Sequence, residues 1–173
     1  DAKDYSGNGN DGVVNGAVLT HKGYYFDGVD DSIDFGYHTF ESTWSLVVTY
    51  EPSGFNEYTH LFTAYNQANL AFKVGTAAFG SRPYIYTQAT GSLIAGTSLS
   101  VGVSYNIAYV CNGTSLNIYI NGELDSSFEV SLPSIVAGFK MGEWGAEQSN
   151  GYEKELKIFN RALSPEEVAI EYK

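Results

Sequence analysis

Apolar and polar positions alternate with a period of two in several short runs, which predicts β-strands with one buried face. The clearest run is Trp44 to Tyr50. Trp44, Leu46, Val48 and Tyr50 share one face, and Ser45 and Thr49 lie on the other. From Ser115 to Asn121, Leu116, Ile118 and Ile120 are predicted inward, with Asn117, Tyr119 and Asn121 outward. Further strands are predicted at Gly12–Asn15, Tyr24–Asp27, Ser32–Gly36, Tyr58–Tyr65, Asn69–Val74, Pro83–Gln88, Tyr105–Cys111, Glu123–Val130, Ile135–Met141 and Glu155–Phe159. The turns follow from residue chemistry. Gly28-Val29-Asp30-Asp31 joins two early strands, and an Asn-Gln-Ala turn at 66–68 separates the next pair. Asn112-Gly113 and Asn121-Gly122 each carry the Asn-Gly hairpin signal.

One helix is predicted, at the end. Ser164 is its N-cap and Pro165 its first residue, and Glu167 completes a capping box with Ser164. Many short strands with almost no helix imply an all-β, antiparallel sandwich or barrel. No repeat and no linker interrupts the 173 residues, so a single domain over 1–173 is expected.

Composition narrows the function classes. A net charge of −11 and the lack of a Lys/Arg cluster argue against nucleic acid as a partner. No stretch is long and apolar enough for membrane insertion. No charged-then-apolar leader opens the chain, so a signal peptide is expected to be absent or removed. Cys111 is the sole cysteine and reads as a small buried hydrophobe. His21, His38 and His60 match no zinc spacing. Fourteen tyrosines stand against 2 tryptophans and 10 phenylalanines. Outward tyrosine beside asparagine suits sugars, because aromatic rings stack on sugar C–H groups and amides bond to hydroxyls. Asn117, Tyr119 and Asn121, and the pair Tyr84 and Tyr86, fit that description, although packing explains each of them equally well.

The candidate metal chemistry lies in Asp4-Tyr5-Ser6-Gly7-Asn8-Gly9-Asn10-Asp11-Gly12. Asp4, Ser6, Asn8 and Asn10 place oxygen ligands at alternate positions with Gly9 at the sharp turn, which is chemistry that Ca²⁺ accepts. The competing account is an Asx-rich turn without metal. Ca²⁺ takes six to eight oxygens, so further ligands are expected from Asp27, Asp30, Asp31 or Glu155. Asp4, Asn8, Asn10 and Asp30 are the expected set for a structural Ca²⁺. Glu123, Asp125 and Glu129 form the one carboxylate run that invites comparison with glycoside hydrolases. Its spacing is off by one residue, and a solvated edge is the better account. The triplet Asn112-Gly113-Thr114 is formally an N-glycosylation acceptor.

Four strings together carry a family resemblance. The Asp4–Gly12 loop resembles the opening loop of laminin-G-like, concanavalin A-like jelly-roll domains. Phe26-Asp27-Gly28-Val29-Asp30-Asp31-Ser32-Ile33 resembles their FDG-x-DD-x-I segment. Leu116 to Leu124 resembles their L-x-x-Y-x-NG hairpin, and Gly151 to Glu167 is similar to their closing strand and cap helix. The resemblance implies a two-sheet β-sandwich, often with one structural Ca²⁺. It implies a non-catalytic recognition module for carbohydrate or a surface glycan on a secreted, cell-surface or phage virion protein. The alternative is a virion decoration module that assembles with a neighbouring protein, and glycoside hydrolysis is the remote one. Two departures stand out. The family usually opens with an apolar strand before the loop, which suggests that this chain is a fragment of a longer protein. Lys154 also stands where the family often has Asp.

Overall fold

The computed structural model describes residues 2–55, 58–66, 69–77, 81–88, 90–144 and 147–173. The early strands are β1 (Val13–Asn15), β2 (Val18–Thr20), β3 (Gly23–Asp27), β4 (Ser32–Phe40) and β5 (Thr43–Pro52). Next come β6 (Tyr58–Asn66), β7 (Asn69–Ala77), β8 (Arg82–Thr87), β9 (Gly91–Ile94) and β10 (Tyr105–Asn112). The remainder are β11 (Ser115–Ile120), β12 (Glu123–Glu129), β13 (Ile135–Met141), β14 (Glu143–Trp144), β15 (Glu147–Gln148) and β16 (Asn150–Phe159), followed by helix α1 (Pro165–Glu171). The middle of the expected Asn-Gln-Ala turn, residues 67–68, lies outside the described residues.

Two seven-stranded antiparallel sheets face each other. One has the order β1-β4-β13-β6-β7-β8-β9 and the other β12-β11-β10-β5-β16-β3-β2, with β14 and β15 as a separate small hairpin. The inner faces meet in one core. Phe62, Ile85 and Phe139 come from the first sheet, and Trp44, Leu46, Val48, Ile107 and Tyr109 from the second. Phe139 is the aromatic hub, stacked on Phe62 at 5.7 Å and tilted against Phe35 and Phe40. The alternation predicted for β5 holds, since Trp44, Leu46, Val48 and Tyr50 all join that core.

The expected early strands β3 and β4 exist but do not pair, because the Gly28–Asp31 turn carries the chain from one sheet to the other. The two Asn-Gly turns also differ. Asn121 (φ 52°) and Gly122 (φ 80°) are both left-handed, as a two-residue hairpin between paired Ile120 and Glu123 requires. At the other turn only Gly113 is left-handed. There Asn112 Oδ1 instead accepts from the backbone N–H groups of Thr114 and Ser115.

The outward face of the second sheet is divided in two. At one end α1 covers it. The predicted capping box is present, and Leu163 and Val168 pack on Val47, Ala108, Val110 and Tyr119. Ser45 Oγ donates to Arg161 O and accepts from Leu163 N–H, which pins the closing segment to the sheet. At the other end the outward residues of β5, β3 and β16 are left open.

Candidate functional site

The open end of that face holds a cleft of about 210 Å³, lined by His21, Lys22, Thr49, Glu51, Ser104, Tyr152 and Lys154. Strand register builds it. Tyr152 lies opposite both Glu51 and Tyr25, and Tyr25 lies opposite Val18. This gives one row across four strands, Val18–Tyr25–Tyr152–Glu51, on the side away from the core residue Phe26. The rings of Tyr25 and Tyr152 sit 5.0 Å apart. Lys22 donates to Glu51 at 2.7 Å, and its ammonium lies 5.0 Å from the centre of the Tyr152 ring.

A bulge shapes the next step of the wall. The register of β16 against β5 breaks between Glu153 and Leu156, so Lys154 and Glu155 together oppose the single residue Thr49. That turns Lys154 toward the open face. Gly23 lets β3 come close to the bulge. Its φ is 113°, and a Cβ there would stand 2.6 Å from the Lys154 backbone. Beneath this surface Glu153 points inward and is buried. Ser149 Oγ donates to its Oε1 at 2.7 Å, and Oε2 has no hydrogen-bond partner. Burial pushes this carboxyl up to about 8, against a smaller opposing pull from the Ser149 hydrogen bond.

The expected metal residues occupy two separate places. Asp27, Asp30 and Asp31 come together, with carboxylate oxygens within 4.8 Å of one another. Asp31 is the buried member. Its Oδ2 accepts from Asp27 N–H, and burial raises its carboxyl above the ordinary range. Asp4 and Glu155 are not part of this group. Asp4, Ser6, Asn8 and Asn10 instead share a loop closed by its own hydrogen bonds. Asp4 accepts from Ser6 N–H and Asn10 N–H, and the Ser6 side chain first, then these N–H groups, hold its carboxylate at about 2. Ser6 Oγ accepts from the Asn8 amide, and Asp11 accepts from Asp4 N–H. Glu155 is exposed and faces Lys157 at 3.6 Å.

Two of the tyrosines suited to sugar contact, Tyr119 and Tyr84, are placed differently from that expectation, while Tyr86 is half-buried. Tyr119 is buried under α1, because the helix covers that part of the outward face. Tyr84 is fully buried, with its hydroxyl 2.6 Å from His60 Nε2. The packing account holds for both. Tyr25 and Tyr152 were missed. The only signal for them was tyrosine next to a core residue in Tyr25-Phe26 and next to an inward one in Tyr152-Glu153. Asp125 in the carboxylate run is committed to structure. Its oxygens accept from Gly96 N–H at 2.6 Å, Thr97 N–H at 3.0 Å and Ser126 Oγ at 2.8 Å. Partial burial opposes ionisation there, but these bonds outweigh it and hold the carboxyl below its ordinary value.

Comparison with known proteins bears on fold. No curated protein sequence matches the chain. Domain 4 of AbnA, a GH43 extracellular arabinanase from Geobacillus stearothermophilus solved with arabinotriose, superposes with a TM-score of 0.82 at 17% identity, covering 100% of this chain and 93% of that one. Trypanosoma rangeli sialidase superposes with a TM-score of 0.76 at 12% identity over 93% of this chain, which spans only 29% of the sialidase. The heptameric SAP-like pentraxin of Limulus polyphemus gives 0.68 at 16% identity, covering 86% of this chain and 80% of that one. At these identities the likeness is one of fold. The family model of the concanavalin A-like lectin/glucanase superfamily matches residues 15–169, and the chain belongs to that superfamily.

Proposed function

We propose that this domain is a non-catalytic carbohydrate-recognition module that acts outside the cell, on a secreted, cell-surface or virion protein. The observation that carries the proposal is the cleft at Tyr152, where paired tyrosine rings adjoin side chains that can donate to and accept from sugar hydroxyls. The arabinotriose complex of the AbnA domain supports sugar binding on this fold. The commitment of Asp125 to the 96–97 backbone supports a non-catalytic role for the carboxylate run. A glycan array tests the proposal: defined oligosaccharides should bind the wild type and lose binding to Tyr152→Ala. Uniform silence would reject it. It would favour the competing role in assembly with a neighbouring protein, for which the exposed Val18 and Leu19 on the edge strand β2 are the supporting feature.

A structural Ca²⁺ is part of the same proposal. Members of the superfamily often bind calcium, and Asp27, Asp30 and Asp31 offer convergent hard oxygen ligands. Asp30 would hold the ion together with its two neighbours. Asp4 would join it only by sharing oxygens that already accept from Ser6 N–H and Asn10 N–H, whereas Asn8 and Asn10 would bring their side-chain amide oxygens.

A further inference from the structure

Anionic ligands face strong general repulsion from this chain, which has 20 Asp and Glu against 9 Lys and Arg. Most cations are matched to carboxylates. Lys3 pairs with Asp11, Lys140 with Asp34 and Glu143, Lys157 with Glu155 and Glu171, and Arg161 with Glu167. The Tyr152 cleft departs from this pattern. It gathers Lys22, Lys154 and His21 around a single carboxylate, Glu51. Lys22 is paired with Glu51. Among the described residues the Lys154 and His21 side chains have neither a hydrogen-bond nor an ion-pair partner.

We propose that the cleft selects sugars bearing an anionic group, a carboxylate or a sulfate ester, with Lys154 as the residue that reads the charge. The inference rests on the carbohydrate reading above and names the ligand class of that same site. Two physical points favour it. Lys154 is turned to the open face by the β16 bulge, and a partnerless ammonium beside an aromatic wall is complementary to an anion carried on a sugar ring. Lys22 also lies over the Tyr152 ring. A sugar that takes this ring face must move the ammonium, which forfeits a cation–π contact. A neutral sugar returns only hydroxyl acceptors to Lys22, whereas an anionic sugar returns a stronger, charge-assisted pair. Thr49 and Ser104 supply hydroxyls at the same cleft for the remaining polar contacts.

Calorimetric titration with matched oligosaccharides tests this. The probes are an oligogalacturonate, its fully methyl-esterified neutral form, and a sulfated galactan of equal length. The wild type should bind at least one anionic probe tenfold or more tighter than the neutral ester. The preference should weaken with added salt and vanish in Lys154→Gln with the melting temperature unchanged. Uronate or sulfate selectivity alone would identify which anion is read and would support the proposal either way. Equal affinity for the ester and both anions, unaltered by Lys154→Gln, would overturn it and leave the carbohydrate reading standing. Failure of all three probes, with neutral and anionic glycans also silent on the array, would overturn both.

Discussion

Glu153 should make this domain less stable as pH rises from 5 to 8.5. The carboxyl is buried, with one hydrogen bond from Ser149 and an oxygen that has no partner, so the folded state favours the neutral acid. In the unfolded chain the group ionises at its ordinary 4.5, and in the fold at about 8. Between those values the folded state holds a proton that the unfolded state has released, so stability falls as pH rises. Below the lower value the group costs nothing, and above the upper one the loss is complete. At about 1.4 kcal/mol per pH unit the ceiling is roughly 5 kcal/mol, and relaxation around a buried ion leaves several kcal/mol at most. We take about 3 kcal/mol, equivalent to roughly 6–12 °C in Tm for a chain of this size. Asp4 and Glu167, both held at about 2 by hydrogen bonds from neighbouring groups, finish titrating well below this window. Glu153→Gln keeps the acceptor for Ser149 and removes the titration. Differential scanning calorimetry at intervals from pH 5 to 8.5 should show the wild-type Tm falling relative to that of Glu153→Gln. Parallel curves would refute the reasoning, and so would a wild-type Tm that rises with pH relative to that of Glu153→Gln.

The other predictions are simpler to state. Ser164→Ala removes the acceptor for Glu167 N–H and should cost about 1 kcal/mol, seen as a Tm drop of roughly 2–4 °C, while a Tm equal to wild type would mean that the cap is idle. If Ca²⁺ binds at the acidic turn, EDTA should lower the Tm and added Ca²⁺ restore it. A site at 100 times its Kd contributes about 2.7 kcal/mol, and in Asp30→Asn the response should disappear. An EDTA-insensitive wild type would remove the metal from the account.

Much of the fold was legible because alternation and capping are local. Trp44 to Tyr50 declares a strand with an inner face, and Ser164, Pro165 and Glu167 declare a helix start. Alternation identifies residues that share a face, but not what covers that face. Tyr119 faces outward from its strand, yet α1 lies over it. Thr49, on the same outward side of β5 as Ser45, stays open while Ser45 is sealed by the closing segment. The acidic turn was legible as a cluster of carboxylates, but its crossing between sheets was not, because a hairpin turn and a crossover share the same residue chemistry. The cleft itself was hidden. Tyr25 and Tyr152 are far apart in sequence and become neighbours only through the register of β3 with β16, and Lys154 joins them through a bulge that no local pattern announces. Glu153 lies in Glu153-Lys154-Glu155, which reads as solvated, and only that same bulge turns it inward.

The central claim is that the Tyr152 cleft binds sugar. Isothermal titration of the best array ligand into wild type, Tyr152→Ala and Tyr37→Ala tests it most directly, since Tyr37 is 61% exposed on the other sheet and serves as a surface control. The account predicts at least tenfold weaker binding for Tyr152→Ala and unchanged binding for Tyr37→Ala. Full affinity in Tyr152→Ala, or loss confined to Tyr37→Ala, would contradict it.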